Sequence, residues 1–159
     1  RAALLVTRAT PLRGSGDVAG GSAPGQVRVV ADHLNVSGGS LFPAPGMVSA
    51  GWDATLTERL GSLRGVSGSS VVALVPGPLR PSPAESRALV SLGADAAVTD
   101  SVAEAMVLAS RGVAVSALTY LDAPAAGGNL GRAQLSLRQA SGVTLAAVEE
   151  ILRSLRAGS

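Results

Sequence analysis

Apolar and polar positions alternate between two periods along this chain. Short apolar runs of strand length fall at Ala3–Val6, Val27–Ala31, Val71–Val75, Ala96–Thr99 and Val113–Thr119. The run Val71–Val75 is continuous rather than alternating, as in a strand covered on both faces. Between the runs lie helical patterns. Asp53–Arg64 places Leu56, Leu60 and Leu63 on one face behind a capping Asp53. Ser82-Pro83-Ala84-Glu85 is a capping box with Pro at the first helical position; it opens a helix that turns Ala88, Leu89 and Leu92 inward and stops at Gly93. Ser101-Val102-Ala103-Glu104 has the same form, and its helix runs to Gly112. The last helix, about Thr144–Arg156, carries an apolar stripe of Leu145, Val148, Ile151, Leu152 and Leu155, with Glu149 and Arg153 paired on the wet face. Residues 14–25 and 37–51 have the Gly and Pro content of connectors. Strands alternating with helices predict one α/β domain over residues 1–159, with a mixed, largely parallel central sheet flanked by helices.

Composition narrows the chemistry. All 13 basic residues are Arg, so Schiff-base catalysis and a Walker phosphate loop, which both need Lys, are excluded. Cys is absent, so no disulfide, thiol nucleophile or thiolate metal site can form. The single His33 cannot build a multi-histidine metal site, and no metal or cofactor is expected. The net charge is only +2, the Arg residues are scattered and aromatics make up 2%, which argues against nucleic-acid binding. No apolar run nears the length of a membrane span and no signal-peptide pattern is present, so the expected location is cytoplasmic. The chain starts at Arg1 and reads as part of a longer product.

Two patterns imitate sites. Gly14-Ser15-Gly16-Asp17-Val18-Ala19 fits the dinucleotide fingerprint, with Asp32 at a suitable distance for a ribose hydroxyl. That mechanism needs a helix directly after the glycines, and Gly20, Gly21, Pro24 and Gly25 leave no room for one, so a loop is the better reading. Gly127-Gly128-Asn129-Leu130-Gly131 reads as a turn. His33 beside Asp32 has no paired serine and reads as a packed or surface residue.

A third set of residues does carry a resemblance. Val75-Pro76-Gly77-Pro78, Pro83-Ala84-Glu85-Ser86-Arg87-Ala88-Leu89 and Leu92-Gly93-Ala94-Asp95-Ala96 resemble the run G-P-x-[YF]-E-T-P-A-E-x-R-x-L-x-x-L-G-A-D-x-V-G-M-S of the trimeric purine nucleoside phosphorylase family. Asp32-His33-Leu34-Asn35 matches D-H-[IL]-N upstream, Val6-Thr7-Arg8-Ala9 echoes V-T-N-A, and Ser116–Thr119 echoes S-L-[VI]-T. The resemblance implies the C-terminal part of a three-layer nucleoside phosphorylase-like fold, with the family's N-terminal part not represented. It also implies an oligomer, a trimer in the family, and a nucleoside or purine ligand.

Carried over residue by residue, the resemblance places the family's substrate contacts on altered side chains. The base-recognising Glu falls on Pro81 and the aromatic before it on Arg80. The Met against the sugar becomes Thr99, the phosphate-binding Ser becomes Asp100, and the purine-binding Asn becomes Tyr120. Ala9 alone is retained in the N-A-A-G-G loop. The family's Gly-Ser-Gly phosphate loop and catalytic His lie upstream of Arg1, so no catalytic residue is assigned in this chain. The expected function is a non-catalytic structural or interaction subunit. The second reading is an active phosphorylase, with phosphate as co-substrate, that needs the upstream half.

Overall fold

The structure is a computed structural model that describes residues 1–12, 24–36, 51–77, 80–122 and 130–157. Its elements are β1 (Ala2–Pro11), β2 (Val27–Asn35), α1 (Ala54–Gly61), β3 (Val66–Leu74), α2 (Pro83–Ser91), β4 (Ala96–Val98), α3 (Val102–Ser110), β5 (Ala114–Leu121) and α4 (Leu130–Ala157). The strands close into a barrel in the order β1-β4-β3-β2-β5. Parallel ladders join β1 to β5, β2 to β3 and β3 to β4, while β1–β4 and β2–β5 are antiparallel. The sheet is therefore mixed and mostly parallel, as the alternation of elements predicts. Its closure into a barrel is not readable from local pattern, because it depends on pairings between distant segments.

Two-residue alternation sorts each strand between the barrel interior and the helices. Ala9, Val30, Val72, Leu74, Ala96, Val98, Val115, Ala117 and Leu121 form one core with Val102 and Ala105 of α3. Val27, Val29, Leu118 and Tyr120 face the other way and pack with Leu60 of α1 and with Val143 and Ala147 of α4. Leu89 of α2 packs on Ala73, Val75, Ala94 and Ala97.

Local chemistry explains several boundaries. Asp53 caps α1 by accepting from the Leu56 N–H at 2.8 Å. Ser82 and Glu85 form the expected reciprocal box on α2, and their hydrogen bonds hold the exposed Glu85 carboxyl below its usual range. Gly93 and Gly112 stop α2 and α3 at φ of 94° and 70°, where an L side chain would be strained.

Four expectations are corrected. Along α2, Ser86 and Leu89 are buried while Ala88 and Leu92 are exposed, because the face that meets β3 and β4 lies one turn-step earlier than the apolar pattern suggests. Ser101 makes no side-chain cap on α3; its hydroxyl donates backward to the Asp100 carbonyl at 2.6 Å, so Glu104 belongs to no capping box. α4 starts at Leu130 and absorbs the glycine-rich turn expected at 127–131 from Leu130 onward. Its core face is Val143, Ala147 and Ile151, whereas Leu145, Val148, Leu152 and Leu155 are exposed. The dinucleotide-like glycines 14–19 and the connector 37–50 lie outside the described residues.

Candidate functional site

The strands bring a group of polar side chains to one end of the barrel. Thr7 of β1 is in register with Thr119 of β5, which is in register with Arg28 of β2. Alternation turns Thr7 the same way as Ala9, and Thr119 the same way as Ala117 and Leu121, toward the interior. Both threonines are buried. The Thr119 hydroxyl has no hydrogen-bond partner among the described residues, an uncommon and costly arrangement for a buried hydroxyl. Arg28 is also buried and donates from Nε to the Ser69 carbonyl at 2.9 Å.

Asp100 follows β4 and closes this end. Its carboxylate Oδ1 accepts from the Thr7 hydroxyl. Its carbonyl accepts from the Val102 N–H at 2.9 Å and from the Ser101 hydroxyl. The Val102-to-Asp100 bond spans two residues, and Ser101 between them has φ 69° and ψ −33°. That geometry is close to a γ-turn of the rare, strained hand. Asp100 is thus held by its side chain and by a strained backbone at once.

A second carboxylate lies just beyond β5. Arg8 Nη2 donates to both oxygens of Asp122, at 2.9 and 2.7 Å, and Arg80 Nη2 stands 4.0 Å from the same group. The bond and the charge of Asp122 raise the Arg8 pKa above its already high ordinary value. The Asp122 N–H donates to the Ala9 carbonyl at 2.8 Å, which ties this ion pair to β1.

The six positions singled out from the sequence are divided by the fold. Ala9, Asp100 and Arg80 are linked through Thr7 and Asp122. Thr99 is exposed, and Gly77 presses against it so closely that a Cβ at 77 would lie 3.2 Å from the Thr99 Cβ. Arg80 and Pro81 line a separate cavity of about 410 Å³ with Val75, Ser82 and Leu89. Tyr120 points away from Asp100, into the apolar cluster under α1 and α4. Local sequence carries no signal for Asp122 or for the pairing of Thr7 with Asp100, since the partners lie 114 and 93 residues away. The period-2 alternation of β1 does mark Thr7 as inward-facing.

His33 has a structural role. The Trp52 indole N–H donates to His33 Nδ1 at 3.2 Å, and the rings meet edge to face with centroids 6.1 Å apart. Burial lowers the His33 pKa, and the neighbouring Asp32 offsets this only in part. The Asp32 carboxylate accepts from the His33 N–H at 2.8 Å. Among the described residues no group of His, Cys, Asp or Glu could hold a metal ion, and no helix is long and apolar enough to cross a membrane.

Solved structures share this architecture. The chain superimposes on the purine nucleoside phosphorylase of Schistosoma mansoni in complex with inosine with a TM-score of 0.68 at 18% identity, over 94% of this chain and 59% of that one. It has the nucleoside phosphorylase fold. The methylthioadenosine phosphorylase of the same organism matches with a TM-score of 0.72 at 13% identity, over 93% of this chain and 63% of that one. Its adenosine/methylthioadenosine phosphorylase mutant Q289L in complex with adenine matches at 0.71 and 14%. The chain spans about three-fifths of the length of these phosphorylase structures. No family model and no curated protein matches the sequence.

Proposed function

We propose that this chain is a non-catalytic member of the nucleoside phosphorylase fold, serving as a structural or interaction subunit. The observation that supports this reading is the anchored carboxylate of Asp100. By resemblance, this position belongs to a serine that binds phosphate. Here it holds a negative charge, fixed by the Thr7 hydroxyl and by the Ser101 turn. Two unit charges of one sign about 4 Å apart at a partly exposed site repel by roughly 4 kcal/mol. That is more than a neutral hydrogen bond from a serine would contribute, about 1 kcal/mol.

The neighbouring replacements act in the same direction. Pro81 has no group that could exchange a proton with a purine, and Tyr120 spends its ring on the packing of α4. Of the cations around this end of the barrel, Arg8 and Arg80 are engaged with Asp122 and Arg28 with the Ser69 carbonyl. Calorimetric titration of the protein with inorganic phosphate, alone and with hypoxanthine, tests the reading. No saturable heat is expected up to about 10 mM phosphate, where a competent site of ordinary affinity would be filled. Saturable phosphate binding that Asp100→Ser leaves unchanged would refute the role given to Asp100.

A further inference from the structure

A cavity of about 500 Å³ lies between α1 and the ladder of β2 and β3. That volume is in the range of roughly 300–1,000 Å³ usual for small-molecule sites. Two irregularities in the ladder make its floor. Pairing passes from Val27↔Val66 to Val29↔Ser69, so β3 carries an extra residue around Gly68, whose φ is 104°. It then passes from Val30↔Ser70 to Asp32↔Val71, so Ala31 is the extra residue on β2. Each bulge bends its strand locally, and Gly68 and Ala31 both line the cavity. The opposite side is as small, because α1 presents Ala54 and Gly61 there. The space is left by four residues that carry one methyl group or none.

One wall is Trp52. Its indole N–H is spent on His33 Nδ1, so what it offers the cavity is apolar ring held in place. Glu58 of α1 lines the cavity from an exposed position, and none of the ion pairs among the described residues includes it. The arginines close by are turned elsewhere. Arg59 faces Glu150 at 3.7 Å, and the buried Arg28, beside Gly68, donates to the Ser69 carbonyl. An apolar, aromatic interior is thus joined to one carboxylate and to no cation.

We propose that this cavity binds a small organic amine with a ring-sized apolar body. The body lies against Trp52 over Ala31 and Gly68, and the ammonium group pairs with Glu58. An acid of the same shape is repelled by Glu58, and a neutral analogue leaves the carboxylate unused. The site is separate from the one on which the non-catalytic reading rests, and it holds whether or not the protein catalyses.

Titration with 2-phenylethylamine at pH 7.5 tests it, with 2-phenylethanol and 3-phenylpropionate as the neutral and anionic counterparts. Calorimetry gives the affinities, and fluorescence of Trp52, the single tryptophan of the sequence, reports occupancy. The amine is expected to saturate with a Kd of about 0.1–1 mM, as for a fragment of this size. It should bind about three- to fivefold more tightly than the alcohol, the worth of one partly solvated ion pair, and the acid should bind more weakly than either. Glu58→Gln is expected to erase the preference for the amine. Ala31→Leu fills the floor and is expected to abolish binding of amine and alcohol alike. Gly61→Ala places a methyl group 3.5 Å from Val29 Cγ1, an ordinary contact, and should weaken both ligands in a chain that still folds. If Ala31→Leu unfolds the protein, Gly61→Ala decides. No saturable binding, an alcohol or acid bound as tightly as the amine, a preference that survives Glu58→Gln, or affinity unchanged by a folded cavity variant would overturn the proposal.

Discussion

The Thr7 hydroxyl donates to the carboxylate of Asp100 across 93 residues of sequence, closing one end of the barrel with a protein group where the resemblance expects a phosphate contact. The bond joins β1 to the segment after β4, beyond the two residue pairs by which those strands are in register. Thr7→Val keeps the shape and removes the donor, so it should cost about 1–2 kcal/mol. A double-mutant cycle with Asp100→Ala by urea denaturation is expected to show a coupling of at least about 0.5 kcal/mol. Additive effects would mean that the two groups do not interact.

The turn at Ser101 predicts an unusual ranking. Ser101→Ala removes the hydroxyl bond to Asp100 and keeps the positive φ, whereas Ser101→Gly removes the same bond and relieves the backbone. Glycine should therefore be the milder substitution by about 1 kcal/mol, although glycine is ordinarily the more disruptive of the two. Thermal unfolding of both variants decides it, and an alanine variant as stable as the glycine one would contradict the strained turn.

Most of the secondary structure is legible in the sequence because its causes are local. Asp53 and the pair Ser82 and Glu85 state their helix starts, and Gly93 and Gly112 state their stops. Ser101 defeats the same logic: it has the right residue three before Glu104, but the tether of Asp100 to Thr7 draws its hydroxyl backward. The stripe of α4 misleads for a different reason. Its apolar positions cover more than half the helix circumference, and among the described residues the face of Ala140, Val143, Ala147 and Ile151 is the one turned to the core. At the candidate site, the positions Ala9, Arg80 and Asp100 are legible through resemblance. Their partners Thr7 and Asp122 are set by barrel closure, which no local pattern encodes.

His33 makes stability depend on pH. Its folded-state pKa lies below the ordinary value because burial disfavours the cation, and Nδ1 must stay unprotonated to accept from Trp52. This stabilisation is fully present above about pH 6.5 and is lost as pH falls below it toward the folded-state value. The unfolding midpoint should drop between pH 7.5 and pH 5, and less so in His33→Gln. Fluorescence of Trp52, the single tryptophan, should report the same transition. A midpoint with the same pH dependence in the variant would rule out His33 as the cause.

Two glycines should respond in opposite directions to alanine. At Gly65 φ is 95° and a Cβ would lie 2.7 Å from Val143 Cγ2, so Gly65→Ala should destabilise by about 2–4 kcal/mol. Gly142 lies inside α4 with open space around its missing Cβ, so Gly142→Ala should stabilise by about 0.5–1 kcal/mol. Chemical denaturation of the two variants checks both signs.

The most direct measurement is phosphate-dependent release of hypoxanthine from inosine by the product of the complete reading frame. With Asp100, Pro81 and Tyr120 where the resemblance expects a phosphate-binding Ser, a proton-exchanging Glu and a purine-binding Asn, no release above the enzyme-free rate is expected. Turnover at or above about 1 s⁻¹, within the ordinary range for enzymes, would contradict the non-catalytic reading outright.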